Sequence, residues 1–262
     1  MTFFTFLSFS TLSFICNMKI AREIAGRIWA FWALLVFVPS MLVAIIFYMP
    51  CFLMKEPAAS WWHRSVSRAW MTFFLNLVGC PLKVKGGHYF KEGESYVVVC
   101  NHNSLMDVPV TTPFMPHANK TIAKKSFAKV PLFGWIYSLG SVLVDRNSDA
   151  SRRKSFEEMK RVLALGLDMV IYPEGTRNRS GKPLKEFYDG AFRLAVDSKR
   201  KIMPTLIFNT RKVLPASKPF FMLPHKLQMH FLPPVEVEGL SSKELKEKVF
   251  KLMWDYYEAN SK

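Results

Sequence analysis

Cysteine is scarce in this chain. The 262 residues contain four, with no Cys-x-x-Cys pair, which excludes a disulfide scaffold and a cysteine-rich zinc module. Acidic residues are few beside basic ones, 20 against 36. The resulting formal charge of +16 implies an anionic partner, either nucleic acid or an anionic membrane surface. No zinc-finger or RNP-type aromatic motif is present, and a nucleic-acid module would leave the long uncharged stretches unexplained, so no nucleic-acid partner is expected. There is no Gly-x-Ser-x-Gly elbow, so nothing calls for a covalent serine intermediate. His-Glu-x-x-His is absent too, and His63, His88, His117, His225 and His230 form no evident ligand set, so no metal is expected. Disorder is excluded by a hydrophobic content of 50%.

Charge is missing in two places. The first 18 residues carry none, and Ile28–Met54 is a run of 27 residues without Lys, Arg, Asp or Glu. About 20 apolar residues cross a bilayer core, so this run is long enough. Pro39 and Pro50 interrupt it, and Lys19, Arg22 and Arg27 precede it while Lys55, Arg64 and Arg68 follow. Basic residues on both sides leave two readings open: a crossing helix, or a kinked re-entrant segment with both ends on the cytoplasmic side. Met18, followed by Lys19-Ile20-Ala21-Arg22, reads as the natural start of such an anchor. Residues 1–57 are therefore expected to anchor the chain, with 1–17 upstream of that start.

Residues 58–80 read as an amphipathic interfacial helix. Arg64 and Arg68 share one face; Trp62, Val66, Phe73 and Leu77 fall near another. That division suits the headgroup region, and packing against the chain's own domain is the other reading. Residues 1–80 hold six basic and two acidic side chains, leaving 30 and 18, a net +12, for the rest.

From residue 81 to 262 strand-like and helical runs alternate, which predicts one α/β domain with a mixed, largely buried sheet flanked by helices. The strand candidates are 82–85, 96–100, 120–123, 141–144, 168–172, 203–208 and 227–237. The helix candidates are 104–115, 148–165, 189–199 and 242–259.

Chemistry gathers at strand ends. Val97–Cys100 runs into Asn101-His102-Asn103-Ser104-Leu105-Met106-Asp107. If His102 precedes the helix and Asp107 sits in its first turn, the carboxylate reaches back to the imidazole. It then fixes the tautomer and leaves the other nitrogen basic. Ser104 and Asp107 also have capping-box spacing, and a plain cap with an ordinary loop histidine is the bland alternative. A second strand runs into Pro173-Glu174-Gly175-Thr176-Arg177: Gly175 frees the backbone, Thr176 offers a hydroxyl and Arg177 a planar fork for phosphate or carboxylate. A polar turn with a Glu174–Arg177 ion pair is its alternative. A third strand ends in Val144-Asp145-Arg146.

The blocks Asn-His-x-Ser-x-x-Asp, Val-Asp-Arg and Pro-Glu-Gly-Thr-Arg, in this order and spacing, resemble the glycerolipid acyltransferases, in particular the 1-acyl-sn-glycerol-3-phosphate acyltransferase family. Ala123–Ser126 with Val130–Trp135 resembles the family's segment between its first two motifs, and Ile202–Thr205 its fourth. The resemblance covers roughly residues 80–240. It implies an enzyme of phospholipid biosynthesis in which His102, oriented by Asp107, activates the free hydroxyl of a lysophospholipid for attack on an acyl thioester, giving phosphatidic acid. Arg146 and Arg177 would hold the acceptor phosphate, with Lys124, Glu174, Gly175 and Thr176 shaping the substrate site. No cofactor is implied; the co-substrate is acyl-CoA or acyl-acyl carrier protein. The partners are then a bilayer, a lysophospholipid and one of these donors, at the cytoplasmic face of a bacterial inner membrane. Two alternatives stand beside this: acylation of another lyso-lipid, such as a lyso-amino-acid lipid, and a non-catalytic membrane-surface protein.

Overall fold

The computed structural model describes residues 9–145 and 147–261, with side chains from residue 17 onward. Seven strands form one sheet: β1 (Leu82–Lys85), β2 (Val97–Cys100), β3 (Asn119–Lys124), β4 (Ser141–Val144), β5 (Asp168–Ile171), β6 (Ile202–Phe208) and β7 (Leu227–Phe231). Their spatial order is β1-β7-β6-β2-β5-β3-β4. From β6 to β4 all neighbours are parallel; β7 is antiparallel to β6 and parallel to β1. The mixed α/β architecture is the one the alternating runs predict. In β2 and β6 every residue is buried, as strands covered on both faces require.

The pleat divides the core. Val97, Val99, Met169, Ile171, Ile202 and Leu206 face one way, against α5 (Asp149–Ala164), α6 (Gly190–Ser198) and α8 (Ser242–Asn260). Val98, Cys100, Val170, Met203 and Ile207 face the other, against α1 (Phe9–Tyr48), α2 (Ala58–Leu77) and α3 (Asp107–Thr111).

From residue 81 onward most boundaries fall within a residue of the sequence reading; two elements differ by more, and two helices were not foreseen. β7 stops at Phe231, because Pro233 and Pro234 cannot donate to a ladder, and only the Ile202–Val235 bridge follows. The helix expected over 104–115 shortens to α3 and a 3-10 turn at Thr112–Phe114, where Pro113 breaks the pattern. Two short helices, α4 (Phe133–Leu139) and α7 (Thr210–Val213), carry too few residues for a visible periodicity.

α1 and α2 form an antiparallel pair: Trp62 Nε1 donates to the Phe47 carbonyl (2.8 Å) and Trp29 Nε1 to the Val78 carbonyl (3.0 Å). The stretch Asn17–Phe52 is long and apolar enough to cross a membrane. Both of its ends are nevertheless held by the α/β domain. Near the start, Met222 N–H donates to the Gly26 carbonyl (3.0 Å) and Glu23 pairs with Lys218. Near the end, Tyr48 and Cys51 pack on Ile136 of α4, and Glu56 just beyond pairs with Lys120 of β3 at 2.6 Å. The outer surface of the pair exposes Phe31, Leu35, Leu42, Ile46, Phe73 and Leu77, and Leu35, Phe73 and Leu77 line an open apolar groove of about 750 Å³ between the two helices.

The basic face of α2 points inward. Arg64 Nε donates to the Met115 carbonyl (2.6 Å), and Arg68 donates to the carbonyls of Pro113 (3.0 Å) and Met115 (3.0 Å). Carbonyls at the end of a broken helix lack intrahelical donors, and the two guanidinium groups supply them. Of the two sequence readings of these arginines, packing against the chain's own domain is the one observed, and it is Trp61, Trp62, Phe73 and Leu77 that face outward.

Candidate active site

The five strands from β6 to β4 run parallel, so their carboxyl ends share one edge of the sheet. Each end carries polar residues: His102 after β2, Glu174 to Arg177 after β5, Lys124 closing β3, Asp145 after β4 and Arg211 after β6. The carboxyl edge of a parallel α/β sheet is where such folds hold ligands.

The chain leaves β2 at Asn101, whose side chain continues the ladder. Its amide donates to the Ile207 carbonyl (3.0 Å) and its oxygen accepts from Ile207 N–H (2.7 Å). That double bond to β6 fixes where the next residue starts. His102 Nδ1 lies 2.8 Å from Asp107 Oδ2, and the same oxygen accepts Asn103 N–H (2.6 Å) and Ser104 N–H (2.7 Å). The loop is thus wound around one carboxylate oxygen. Asp107 is fully buried, while the His102 side chain is 18% exposed. Three donors on Oδ2 make burial of this carboxylate tolerable, and Oδ1 is buried with no partner. With the proton on Nδ1, Nε2 keeps its lone pair. Only half of the expected capping box forms: Asp107 reaches back to Ser104 N–H, but Ser104 Oγ donates to the Leu214 carbonyl (2.7 Å).

The turn after β5 supports this loop. Glu174 Oε1 accepts His102 N–H (2.8 Å), Oε2 accepts Lys185 N–H (3.0 Å), and Asn178 N–H donates to the His102 carbonyl (2.7 Å). The Glu174–Arg177 ion pair does not form, because backbone amides occupy both carboxylate oxygens. Burial raises the Glu174 pKa to about 7, with Asp107 adding to the rise and the two amides and Arg211 opposing it. Gly175 has φ +68°, where a side chain would be strained, and a Cβ there would come within 2.7 Å of the exposed Tyr188 ring and displace it. Thr176 Oγ1 accepts from Lys185 Nζ (3.1 Å). Arg177 is half-buried, and among the described residues no acidic side chain pairs with it.

His102, Asp107 and Glu174 therefore belong to one hydrogen-bonded network, with Gly175, Thr176 and Arg177 in its supporting turn. Lys124 ends β3, two strands from β2 on the same edge, about 10 Å away at ordinary strand spacing. Arg146 lies outside the described residues. Among the described residues no group of three or more His, Cys, Asp or Glu is arranged to hold a metal ion.

Two side chains of the site escaped the sequence reading. The Tyr172 ring lies 4.6 Å from that of His102, and its hydroxyl meets Thr111 Oγ1 at 2.5 Å. Burial pushes that phenol well above its ordinary range, so it stays neutral. Arg211 donates from Nη2 to Asn103 Oδ1 (2.8 Å) and more weakly to the Asn178 carbonyl (3.4 Å), tying the His102 loop to the Glu174 turn. A signal for Arg211 did exist: Asn209-Thr210-Arg211 follows β6 as Asp145-Arg146 follows β4, a strand ending in an arginine.

Comparison with known proteins places the chain in a family. A family model described as Acyltransferase matches residues 81–233. The 1-acyl-sn-glycerol-3-phosphate acyltransferase alpha of Mus musculus is 31% identical over 169 residues, 63% of this chain and 58% of its own length. The 1-acyl-sn-glycerol-3-phosphate acyltransferase of Helicobacter pylori is 32% identical over 157 residues, 60% and 64% of the two chains. The chain spans 43% of the corresponding Cocos nucifera protein, so its curated relatives are matched over only part of their length. Among solved structures, the 1-acyl-sn-glycerophosphate acyltransferase PlsC from Thermotoga maritima has the same fold, with a TM-score of 0.75 over 92% of this chain and 97% of its own at 22% identity. The family match runs unbroken from the start of β1 to just past β7, more than half of the chain, and this chain belongs to the acyltransferase family.

Proposed function

We propose that the protein transfers an acyl chain from an acyl thioester to the free hydroxyl of 1-acyl-glycerol-3-phosphate, giving phosphatidic acid. The observation that carries this reading is the His102–Asp107 pair, held at the carboxyl edge of the sheet inside a stretch that matches the acyltransferase family. The names of the curated relatives support the choice of acceptor.

In the proposed reaction Nε2 of His102 takes the proton from the acceptor hydroxyl as its oxygen attacks the thioester carbonyl. Asp107 holds the ring through Nδ1 and stabilises the imidazolium. The tetrahedral species collapses with loss of the C–S bond, and the proton passes from Nε2 to the leaving thiolate. Arg177, unpaired with any acid among the described residues, takes the acceptor phosphate together with Arg146, and Lys124 adds charge on the same edge. Glu174 and Gly175 hold the turn in shape, and Thr176 lines it. The donor is acyl-CoA or acyl-acyl carrier protein, and no metal or cofactor enters.

The attachment proposed for α1 and α2 is to one leaflet of a membrane, the cytoplasmic face of a bacterial inner membrane. Retention of both ends of the apolar stretch by the same domain favours a helix lying in the leaflet over a crossing. The test is an assay of purified protein with a panel of lyso-lipids, with and without a phosphate headgroup, and both donor types, alongside His102→Ala. Expected is phosphatidic acid formation by the wild type and a loss of about 100- to 10,000-fold in the variant. Near-normal turnover by folded His102→Ala would sink the mechanism, and a preference for acceptors without phosphate would sink the choice of acceptor.

A further inference from the structure

Between β3 and α4 the chain makes a lobe, residues 125–135, that the reaction above does not use. Its tip is apolar and unprotected: Phe127, Val130, Leu132 and Trp135 are all exposed, the last two at 47% and 52%. A cluster of this size on a soluble surface marks an interaction site. The lobe also has a tightly folded backbone. A 3-10 turn spans Lys125–Lys129, and α4 begins at Phe133. Between them Leu132 takes φ +62° and ψ −56°, the centre of a γ-turn in which Phe133 N–H donates to the Pro131 carbonyl at 2.6 Å. A branched side chain at positive φ is strained, and strain of this kind persists where the surrounding structure enforces it for a purpose. Here the strained turn leaves a leucine standing out from the protein. Gly134 completes the fold-back: a Cβ would lie 2.3 Å from the Ala128 carbonyl oxygen, so only glycine lets the two arms of the lobe close together.

Two observations identify what covers the tip. The first is charge. Lys124, Lys125 and Lys129 lie beside its apolar residues in the chain, all exposed, and among the described residues none is paired with an acid. Exposed lysines interleaved with an apolar, aromatic-bearing tip match the layering of a leaflet, phosphates outside and hydrocarbon within. The second is continuity with the apolar helix pair. The Trp135 ring lies 5.2 Å from that of Phe52, just past the end of α1, and Leu53 beside it is 91% exposed. The lobe thus extends the apolar outer surface of α1 towards the end of β3, the same sheet edge from which His102 and Glu174 project.

We infer that residues 125–135 form a preformed bilayer-inserting lobe, a second membrane contact beside the mouth of the site. Phe127, Val130, Leu132 and Trp135 enter the acyl region, and Lys125 and Lys129 hold anionic headgroups. The helix pair and the lobe then touch the leaflet together, and the site opens against it. This rests on the acyltransferase reading given above.

The test uses the full chain. Trp135 reports insertion directly: with vesicles of phosphatidylcholine and phosphatidylglycerol, chain-brominated lipids are expected to quench a fluorescence component that Trp135→Phe lacks. The double variant Phe127→Asp with Leu132→Asp, shown folded by its thermal midpoint, is then assayed on lysophosphatidate in vesicles and on a short-chain lysophosphatidate that stays monomeric in water. Expected is a fall of at least tenfold on vesicles with turnover of the soluble acceptor unchanged. A vesicle-bound wild type whose Trp135 component is not quenched overturns the inference. So does an equal loss on both acceptors, which makes the lobe part of the site. A loss seen with an acyl carrier protein donor but not with acyl-CoA also overturns it, since the lobe would then dock the carrier. Should the wild type acylate neither acceptor, the reading of the enzyme has failed, and the quenching result still decides the lobe.

Discussion

Replacing Glu174 by glutamine tests the hydrogen-bond logic of the site most directly. The Glu174 carboxyl faces two donors, His102 N–H at 2.8 Å and Lys185 N–H at 3.0 Å. Charged or protonated, a carboxyl presents an oxygen to each. A glutamine amide presents one oxygen and one NH₂, so in either orientation a donor meets a donor. Leaving one buried N–H unsatisfied costs about 1–3 kcal/mol. A loss near 2 kcal/mol lowers the thermal midpoint of a chain this size by roughly 4–8 °C. The orphaned amide is His102's own or lies in the turn that holds it, and a misplacement of about 1 Å near a reacting group costs about 100-fold in turnover. pH adds a second reading. The folded state holds the Glu174 proton up to about pH 7, the unfolded chain only to the ordinary value of 4.5. In that window the folded state binds more protons, so this group's contribution to stability falls as pH rises from 4.5 to 7 and is flat above. Thermal unfolding of wild type and Glu174→Gln at pH 5 and pH 8, with turnover near neutrality, measures both. The gap between the two proteins is expected to be wider at pH 5. Equal midpoints at both pH values with turnover within about twofold would refute the account, given that a buried amide pays the full cost of a missing acceptor.

Three other outcomes follow from the same geometry. In Asp107→Asn the side-chain oxygen can stay on its three donors while the new NH₂ takes the place of the partnerless Oδ1; turnover should fall about 100-fold or more with little change in midpoint, and a large drop in midpoint would show that the charge also holds the fold. Arg177→Lys should raise the acceptor KM and leave the donor KM alone, since an ammonium cannot reproduce a bidentate fork; steady-state kinetics varying each substrate in turn would show whether both move together, which would contradict a phosphate role. Arg211→Met removes the tie between Asn103 and Asn178; kcat should drop more than either KM changes, with partial recovery in Arg211→Lys, and an unchanged kcat would mean that the His102 loop keeps its place without it.

Much of the fold was legible because buried parallel strands are written as short apolar runs, and β2, β4, β5 and β6 are such runs. The helix pattern failed where proline intervened, at Pro113, and where a helix lasted a turn or two, as in α4 and α7. The pairing of His102 with Asp107 was legible because only four intervening positions confine both groups to one loop. Glu174's partners were not, because they are backbone amides, which every residue possesses and no pattern of side chains marks. The inward turn of Arg64 and Arg68 was hidden for a related reason: their acceptors are carbonyls around Pro113, remote in sequence and without a side-chain signature. Arg211 was readable in principle from its place after a strand, but it belongs to none of the blocks that carried the resemblance.

The union of α2 with the sheet has a consequence for how substrate is met. Met71, Phe74, Leu75 and Val78 share one core with Tyr96, Val98 and Met203, and two arginines fasten the same helix to carbonyls of the domain. An enzyme on a flexible tether samples many heights and orientations, and its site searches for a lipid in three dimensions. Here no joint is available between the outer surface of the helix pair and the residues that support His102. Seated on a leaflet, the molecule would have a fixed height and tilt, and encounter would become a two-dimensional problem: the lipid diffuses sideways to a stationary mouth. Surface density of acceptor, rather than its bulk concentration, would then set the rate.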